Sequence, residues 1–177
     1  MQSRLILRGP RLRLRPWRPD DVPAAVEWNN DPTSLRFADA ERRDEPYRPY
    51  DAAEIEMVYR AVSSSGWMFI AMLGNRRAGE FSLTLNGPEP GSARIDLIVA
   101  PAFRGRGLAR EGLAVLARFA FEVLRVPALY GYVTEGNVDS ERLHRSLGYR
   151  RHVKETKRPF VLTNTPAARA RLRKLVG

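Results

Sequence analysis

The segment from Ile98 to Tyr149 constrains this chain more than any other. It runs from an apolar strand through Arg104-Gly105-Arg106-Gly107-Leu108-Ala109 into a long amphipathic stretch and a second apolar strand. Asn137, Ser140 and Leu147-Gly148-Tyr149 follow. Apolar residues at Leu108, Gly112, Leu113, Leu116, Ala120, Phe121 and Leu124 keep helical spacing, so a helix is predicted from Gly107 to about Leu124. Strands predicted at Ala93–Val99 and Ala128–Val133 flank it, and a strand, crossover helix and strand of this length make a parallel βαβ unit. A helix start carries unpaired N–H groups and a partial positive charge, so it attracts anions. Gly105 and Gly107 let the main chain approach a ligand without side-chain interference. The same two glycines also suit a plain tight turn. No Gly-Lys-Ser/Thr ending marks a Walker loop, and the dinucleotide pattern fails at Arg110.

The remaining chain supplies more strands and helices. Leu12-Arg13-Leu14-Arg15 alternates with strand period, and Asp20-Asp21 before Val22-Pro23 marks a helix start. Asp51-Ala-Ala-Glu54 has capping-box spacing and opens a helix through Ile55, Val58, Tyr59 and Val62. Residues 30–50, rich in Pro, Arg, Asp and Tyr, read as a long loop of the lid or binding kind. Gly66–Met72 and Arg77–Leu85 read as strands joined by a turn at Gly74-Asn75. A short helix is predicted behind Asn137, a strand pair over Tyr149–Glu155 and Pro159–Thr163, and a terminal helix from Thr165-Pro166. The expected fold is α/β, with a mixed, mostly antiparallel central sheet of about seven strands and helices on both faces. At its centre lies the parallel βαβ core, splayed at a cofactor site. With 177 residues, one domain over 1–177 is expected.

Composition narrows the chemistry. The chain has no cysteine and only two histidines, His144 and His152, which excludes thiolate metal sites and a cysteine acyl-enzyme; a metal cofactor is not expected. No apolar run approaches the roughly 18 residues of a membrane span, and the amino terminus lacks a secretory core, so a cytoplasmic location is expected. The net charge of +10 is uneven. Residues 1–141 hold 19 basic and 19 acidic groups, whereas residues 142–177 hold 11 basic groups against Glu155 alone. Such asymmetry suits an anionic partner, whether cofactor phosphate, an acidic protein surface, or RNA or the ribosome. It also fits a solvated face enlarged by arginine-rich usage, with 27 Arg to three Lys.

Val99-x-Pro101-x-x-Arg104-Gly-Arg-Gly107-x-Ala109, then Phe119-Ala-Phe121-Glu122, then Asn137-x-x-Ser140-x-x-Leu143-x-x-x-Leu147-Gly148-Tyr149, resembles the GNAT N-acetyltransferase superfamily. The opening Arg11–Pro16 and Asp20-Asp21 resemble its RimJ/RimL-like branch, which acetylates ribosomal-protein amino termini. The resemblance covers the chain up to Tyr149. It implies acetyl-CoA as donor, with Arg104, Gly105, Arg106, Gly107, Leu108 and Ala109 cradling the diphosphate. Main-chain groups of Ile98 and Val99 would pair with the pantetheine arm as an added strand, and Asn137 and Ser140 would line that arm. Asn137 serves equally well as a helix cap.

Acetylating an amine requires its neutral form. Removing the proton at pH 7 costs about 1 kcal/mol for an α-amino group and about 4–5 kcal/mol for a lysine. Direct attack on the thioester fits the missing cysteine. Candidate bases are Asp96, Glu80 and Glu135. Asp96 interrupts an apolar strand beside the expected cofactor, and an ion pair with a nearby arginine explains it equally. Glu80 and Glu135 read more simply as solvated or paired charges. Many relatives carry a tyrosine acid seven residues after the motif asparagine, where this chain has His144. Imidazole can protonate sulfur, and a surface histidine is the plain alternative. Trp28, Tyr47, Arg48 and Tyr50 are candidates for an acceptor pocket.

The leading acceptor is a protein amino terminus. The eight carboxylates within residues 30–60 keep polyamines and aminoglycosides open. A binding module that uses the basic carboxy-terminal third on RNA or the ribosome, with a non-catalytic acetyl-CoA site, is the alternative of another class. The expected assembly is a monomer or homodimer.

Overall fold

In the computed structural model, residues 5–38, 48–152 and 159–177 are described. The strands are β1 (Leu7–Arg8), β2 (Leu12–Pro16), β3 (Gly66–Leu73), β4 (Arg76–Thr84), β5 (Ala93–Val99), β6 (Ala128–Gly131), β7 (Arg150–Arg151) and β8 (Phe160–Thr163). The helices are α1 (Val22–Asn29), α2 (Pro32–Ala38), α3 (Ala52–Ser65), α4 (Leu108–Glu122), α5 (Val138–Leu147) and α6 (Pro166–Val176). All eight strands form one sheet in the order β1-β2-β3-β4-β5-β6-β8-β7. Only β5 and β6 run parallel, which is the expected βαβ core; every other pair is antiparallel.

The expected architecture is the observed one, with eight strands where about seven were expected. The extra strand is the two-residue β1, too short to show a period. A second difference lies in residues 30–50, where α2 occupies part of the expected loop. Asp31 caps it, its carboxylate accepting from the amides of Thr33 (3.1 Å) and Ser34 (3.0 Å), with Pro32 in the first turn. The other caps follow the sequence. Asp51 accepts from the Glu54 amide while Glu54 accepts from that of Asp51, and Thr165 accepts from the Ala168 amide.

Side chains on β4 alternate between two helix layers. Phe81 faces α4, where Gly112 permits close approach; a Cβ there would come within 2.4 Å of the Phe81 ring. Glu80 and Ser82 face the opposite way, toward α1 and α3. Two buried carboxylates fix these layers. Glu111, in the first turn of α4, accepts from the amides of Arg11 (2.6 Å) and Leu12 (2.8 Å) and from Arg11 Nε (2.7 Å), which ties β2 to α4. Asp21, fully buried at the start of α1, takes Arg15 in two 2.7 Å contacts and Arg77 in a third. Burial opposes ionisation at Asp21, but the two guanidinium groups outweigh it and hold the carboxyl below its ordinary range. Leaving such a carboxylate buried without its partners costs about 3–5 kcal/mol.

Part of the carboxy-terminal positive excess is structural. Arg173 on α6 donates to Glu122 on α4 (2.6 Å), Arg169 to Asn164 (2.6 Å), and Arg145 and Arg151 lie over the Phe160 ring. Among the described residues no helix is long and apolar enough to cross a membrane.

Candidate active site

The sheet opens where its two parallel strands part. β5 pairs with β6 only from Ala93 to Ile95, opposite Leu129 to Gly131, yet stays paired with β4 as far as Val99. Beyond Gly131 the chain leaves the ladder, so the edge of β5 from Asp96 to Val99 has no strand beside it. Arg94 bridges the mouth of this gap, its guanidinium 4.5 Å from the centroid of the Tyr132 ring. The Ala100 amide donates to the Ala78 carbonyl on β4 (3.0 Å), and a Cβ on Gly79 would strike the Ile98 carbonyl oxygen. Alternation along the strand therefore turns the main chain of Ile98 toward β4, and that of Leu97 and Val99 toward the gap. Of the expected pair, Val99 turns its main chain to the gap and Ile98 does not, whereas Leu97 does. Ile98 contributes its side chain to the lining instead.

One end of the gap meets the glycine loop. Gly105 (φ 73°) and Gly107 (φ 72°) are both left-handed, a conformation that glycine adopts without strain. No protein atom lies within 4 Å of where a Cβ on Gly105 would stand. The Arg104 amide turns inward to the Pro101 carbonyl (3.3 Å), and α4 begins its own bonding with Glu111 to Gly107 (3.2 Å). Between these, the amides of Gly105 to Arg110 have no acceptor among the described residues. They form a cradle at the positive end of a 15-residue helix.

The arginine side chains of the loop engage neighbouring elements. The Arg104 side chain donates to the Val99 carbonyl (3.1 Å) and Ser34 Oγ (2.9 Å), and pairs with Asp31 (2.8 Å). It pins α2 to the loop. At the other end of α2, Thr134 Oγ donates to the Phe37 carbonyl (2.8 Å). Arg106 is exposed, lies over the Phe103 ring and gives its carbonyl to Arg11 (3.0 Å). Leu108 is buried and Ala109 lines the cleft.

The cleft encloses about 1380 Å³ and is lined from both sides of the sheet opening. That exceeds the roughly 300–1,000 Å³ of a pocket for one drug-sized ligand. Glu80 forms its floor on the α1–α3 side and is 8% exposed. Tyr59 Oη, from α3, donates to Glu80 Oε2, and Asn29 Nδ2, from α1, reaches Oε1 at 3.3 Å and Oε2 at 3.4 Å. Burial pushes the Glu80 carboxyl up to about 7, against the pull of those two donors. The solvated or ion-paired charge expected at Glu80 is thus a buried, hydrogen-bonded carboxyl group.

Asp96 sits diagonally across from Glu80 on the same face, opposite Ser82. Its side chain is open to the cleft, while the crowding walls push its carboxyl up to about 6 and Arg94 partly offsets them. Glu135 is exposed at the rim.

Asn137 caps α5, its Oδ1 accepting from the Ser140 amide (3.1 Å), and both residues line the cleft. His144 is buried rather than on the surface. Its Nδ1–H donates to the Ser140 carbonyl (2.8 Å), while Nε2, buried against Gly131, has no partner among the described residues; the residue also lines the cleft. Burial lowers its pKa despite that bond. Tyr149 packs edge-on against the imidazole at 5.0 Å, as a core residue. Of the acceptor-side candidates, Tyr50 lines the cleft, Trp28 is core, Arg48 pairs with Glu54 on the surface, and Tyr47 lies outside the described residues. Sequence reasoning placed the acceptor pocket on Ala24–Tyr59 and the closing strands without singling out Tyr59 or Asn29. A tyrosine on the apolar face of α3 was the available signal, because a buried hydroxyl needs a partner.

A sheet parted beside a helix start with unengaged amides, with a buried carboxyl group across the cleft, defines an enzyme that takes a long phosphate-bearing donor and a second substrate. The chain belongs to the acetyltransferase (GNAT) domain family, which matches residues 11–150, and it is an N-acetyltransferase. It is 24% identical over 140 residues to the spermidine N(1)-acetyltransferase of Escherichia coli (strain K12), covering 78% of this chain and 72% of that protein. Two solved structures share the fold. Mycobacterium smegmatis RimJ in complex with CoA-disulfide has a TM-score of 0.71 at 19% identity, covering 96% of this chain and 92% of its own. The aminoglycoside acetyltransferase AAC(6')-Ib in complex with coenzyme A has a TM-score of 0.73 at 21% identity, covering 92% and 99%. Among the described residues no group of three or more His, Asp or Glu could hold a metal ion.

Proposed function

We propose that this enzyme transfers the acetyl group of acetyl-CoA directly to an α-amino group at a peptide or protein amino terminus, with Glu80 as general base. The residues fit the donor. The amides of Gly105 to Arg110 would take the diphosphate, and Leu97 and Val99 would pair with the pantetheine arm. Asn137 and Ser140 line the cleft nearby. Acetyl-CoA supplies an acyl thioester whose thiolate, with a pKa near 8.5, leaves readily without a strong acid.

The observation that carries the reading is the buried carboxyl group on the cleft floor, held by Tyr59 and Asn29 with Oε1 the less engaged oxygen; burial pushes it up to about 7. Moving a proton to it from an α-ammonium of pKa about 8 is uphill by about one pKa unit, or roughly 1.4 kcal/mol; from an alkylammonium of about 10.4 it is nearly 5 kcal/mol. Glu80 Oε1 carries fewer hydrogen bonds than Oε2 and is the oxygen left to receive the proton, directly or through a water. Asp96, open to the cleft, holds the incoming ammonium group. His144 has no part as acid in this reading. Its Nδ1–H is held by the Ser140 carbonyl and its Nε2 is buried against Gly131, so the ring braces α5 against β6.

A second reading rests on the two carboxyl groups sharing one face. Glu80 and Asp96 suit a small polycation, and the spermidine acetyltransferase among the relatives adds weight to it. A thiol-release assay separates the two readings, run over peptides with free or blocked amino termini, spermidine and an aminoglycoside. Turnover is expected with free-terminus peptides and not blocked ones, rising as pH passes about 7 because the carboxylate is the active form. Turnover with spermidine alone would replace the first reading by the second. Thiol release with none of these amines would remove both.

A further inference from the structure

The floor of the cleft holds a group that the reaction as described does not use. Tyr59 is 1% exposed, and its only route to a hydrogen bond is inward, onto Glu80 Oε2. Its ring is fixed by the Trp17 indole, edge-on at 5.2 Å, and Trp17 in turn donates through Nε1 to Ser63 Oγ (2.9 Å) on the same helix. Asn29 approaches from α1, with its amide nitrogen also held by the Ala25 carbonyl (2.9 Å). Two helices thus each deliver one donor to a single carboxylate on β4.

This inference rests on Glu80 being the base. We infer that Tyr59 is the positioning residue of the reaction: its hydroxyl engages Oε2, fixes the carboxylate plane, and leaves Oε1 turned to the acceptor. Tyr59 borders the cleft but is almost fully buried, and its hydroxyl acts through Glu80. No covalent chemistry passes through it, and its proton stays on the phenol. Burial and the adjacent carboxylate both hold the phenol strongly in its neutral, donating form.

The surroundings of Glu80 leave few other groups to set its behaviour. From β5 come Asp96 on the same face and, beyond it, Arg94; from β3 comes the apolar Ile70, directly opposite. α1 contributes the uncharged Asn29 and, at its start, the carboxylate of Asp21, which acts on the Tyr59 phenol but is itself paired with Arg15 and Arg77; α3 contributes the phenol itself. A hydrogen bond donated to the charged form favours that form, so losing the Tyr59 hydroxyl raises the pH at which Glu80 becomes a base.

The test is the pH profile of kcat/KM for the Tyr59→Phe enzyme, which keeps the ring and its packing. The acidic limb is expected to move up by about one pH unit, giving roughly a tenfold loss below neutrality. The rate is expected to recover within a few-fold at high pH, with KM for acetyl-CoA unchanged. In a Glu80→Gln background, Tyr59→Phe is expected to add nothing further. Site-specific 3-fluorotyrosine at position 59, a more acidic donor of the same shape, is expected to move the limb down. That enzyme serves as the test should the phenylalanine variant fail to fold. An unmoved limb, or a loss equal at every pH, overturns the inference and leaves the base assignment standing. Full activity of Glu80→Gln on its own overturns the base assignment and this inference with it.

Discussion

Replacing Glu80 by Gln is expected to lower kcat by about 10²–10⁴-fold, the usual contribution of a positioned general base, with acetyl-CoA affinity unchanged. The amide is nearly isosteric with the protonated carboxyl group and can still accept from the Tyr59 hydroxyl. The loss is therefore chemical rather than structural, and the thermal transition is expected to stay close to that of the parent. The residual rate should also lose the acidic limb near pH 7, since the group responsible for it is gone. Stopped-flow or steady-state thiol release across pH 5–9 reads both effects, and wild-type turnover at pH 6 would remove Glu80 as base. The same substitution at the neighbouring carboxylate, Asp96→Asn, distinguishes the two roles. Asp96 is open to the cleft and is not held by buried donors, so its loss should raise KM for the amine more than it lowers kcat.

Gly107→Glu is expected to abolish useful acetyl-CoA binding. Gly107 has φ 72°, and only Arg11 Nη2, 3.6 Å away, stands near the position of a Cβ. Any side chain there takes on left-handed strain of about 1–2 kcal/mol, and a carboxylate also faces the anion that the loop would hold. Two like charges at about 4 Å in surface-like screening repel by about 4 kcal/mol, close to a thousandfold in Kd. Isothermal calorimetry reads it directly. An unchanged Kd would show that the diphosphate sits elsewhere.

Several parts of this molecule were legible from residues alone, and they share a cause. The βαβ core, the Asp51 capping box and the Thr165-Pro166 helix start depend on neighbours within a few positions, so local pattern determined them. α2 was hidden by the composition around it, although Asp31-Pro32 already carried a cap and a first-turn proline. The choice between Leu97 and Ile98 at the gap was not readable. It depends on which strand takes the Ala100 amide, and a shift of one residue reverses every main-chain direction. The carboxyl cluster on the cleft floor was concealed for a different reason. Asn29, Tyr59 and Glu80 lie on three elements and meet only through the packing of two helices on the sheet. In sequence, Glu80 looked like the outward residue of an alternating strand. It becomes chemically distinctive only because α1 and α3 cover that face.

The glycine loop shows the converse. Arg104 to Ala109 read as a main-chain cradle for phosphate, and in the structure the Arg104 guanidinium is occupied by Asp31, Ser34 and the Val99 carbonyl. In the reading proposed above, the anion falls to main-chain N–H groups, while the Arg104 side chain holds α2 against the loop. Asp31 reflects the same arrangement: partial burial opposes its ionisation, but Arg104 and the Ser34 amide hold its carboxyl below the ordinary range. The glycine loop and α2 are thereby mechanically joined.

The most direct measurement is a titration of the 15N-labelled enzyme with coenzyme A, followed by the backbone amide resonances. The amides of Gly105, Arg106, Gly107, Leu108 and Ala109 are expected to move most and to saturate together, with Leu97 and Val99 following. If those resonances hold still while others shift, or if millimolar coenzyme A leaves the spectrum unaltered, the cradle assigned to the start of α4 is contradicted.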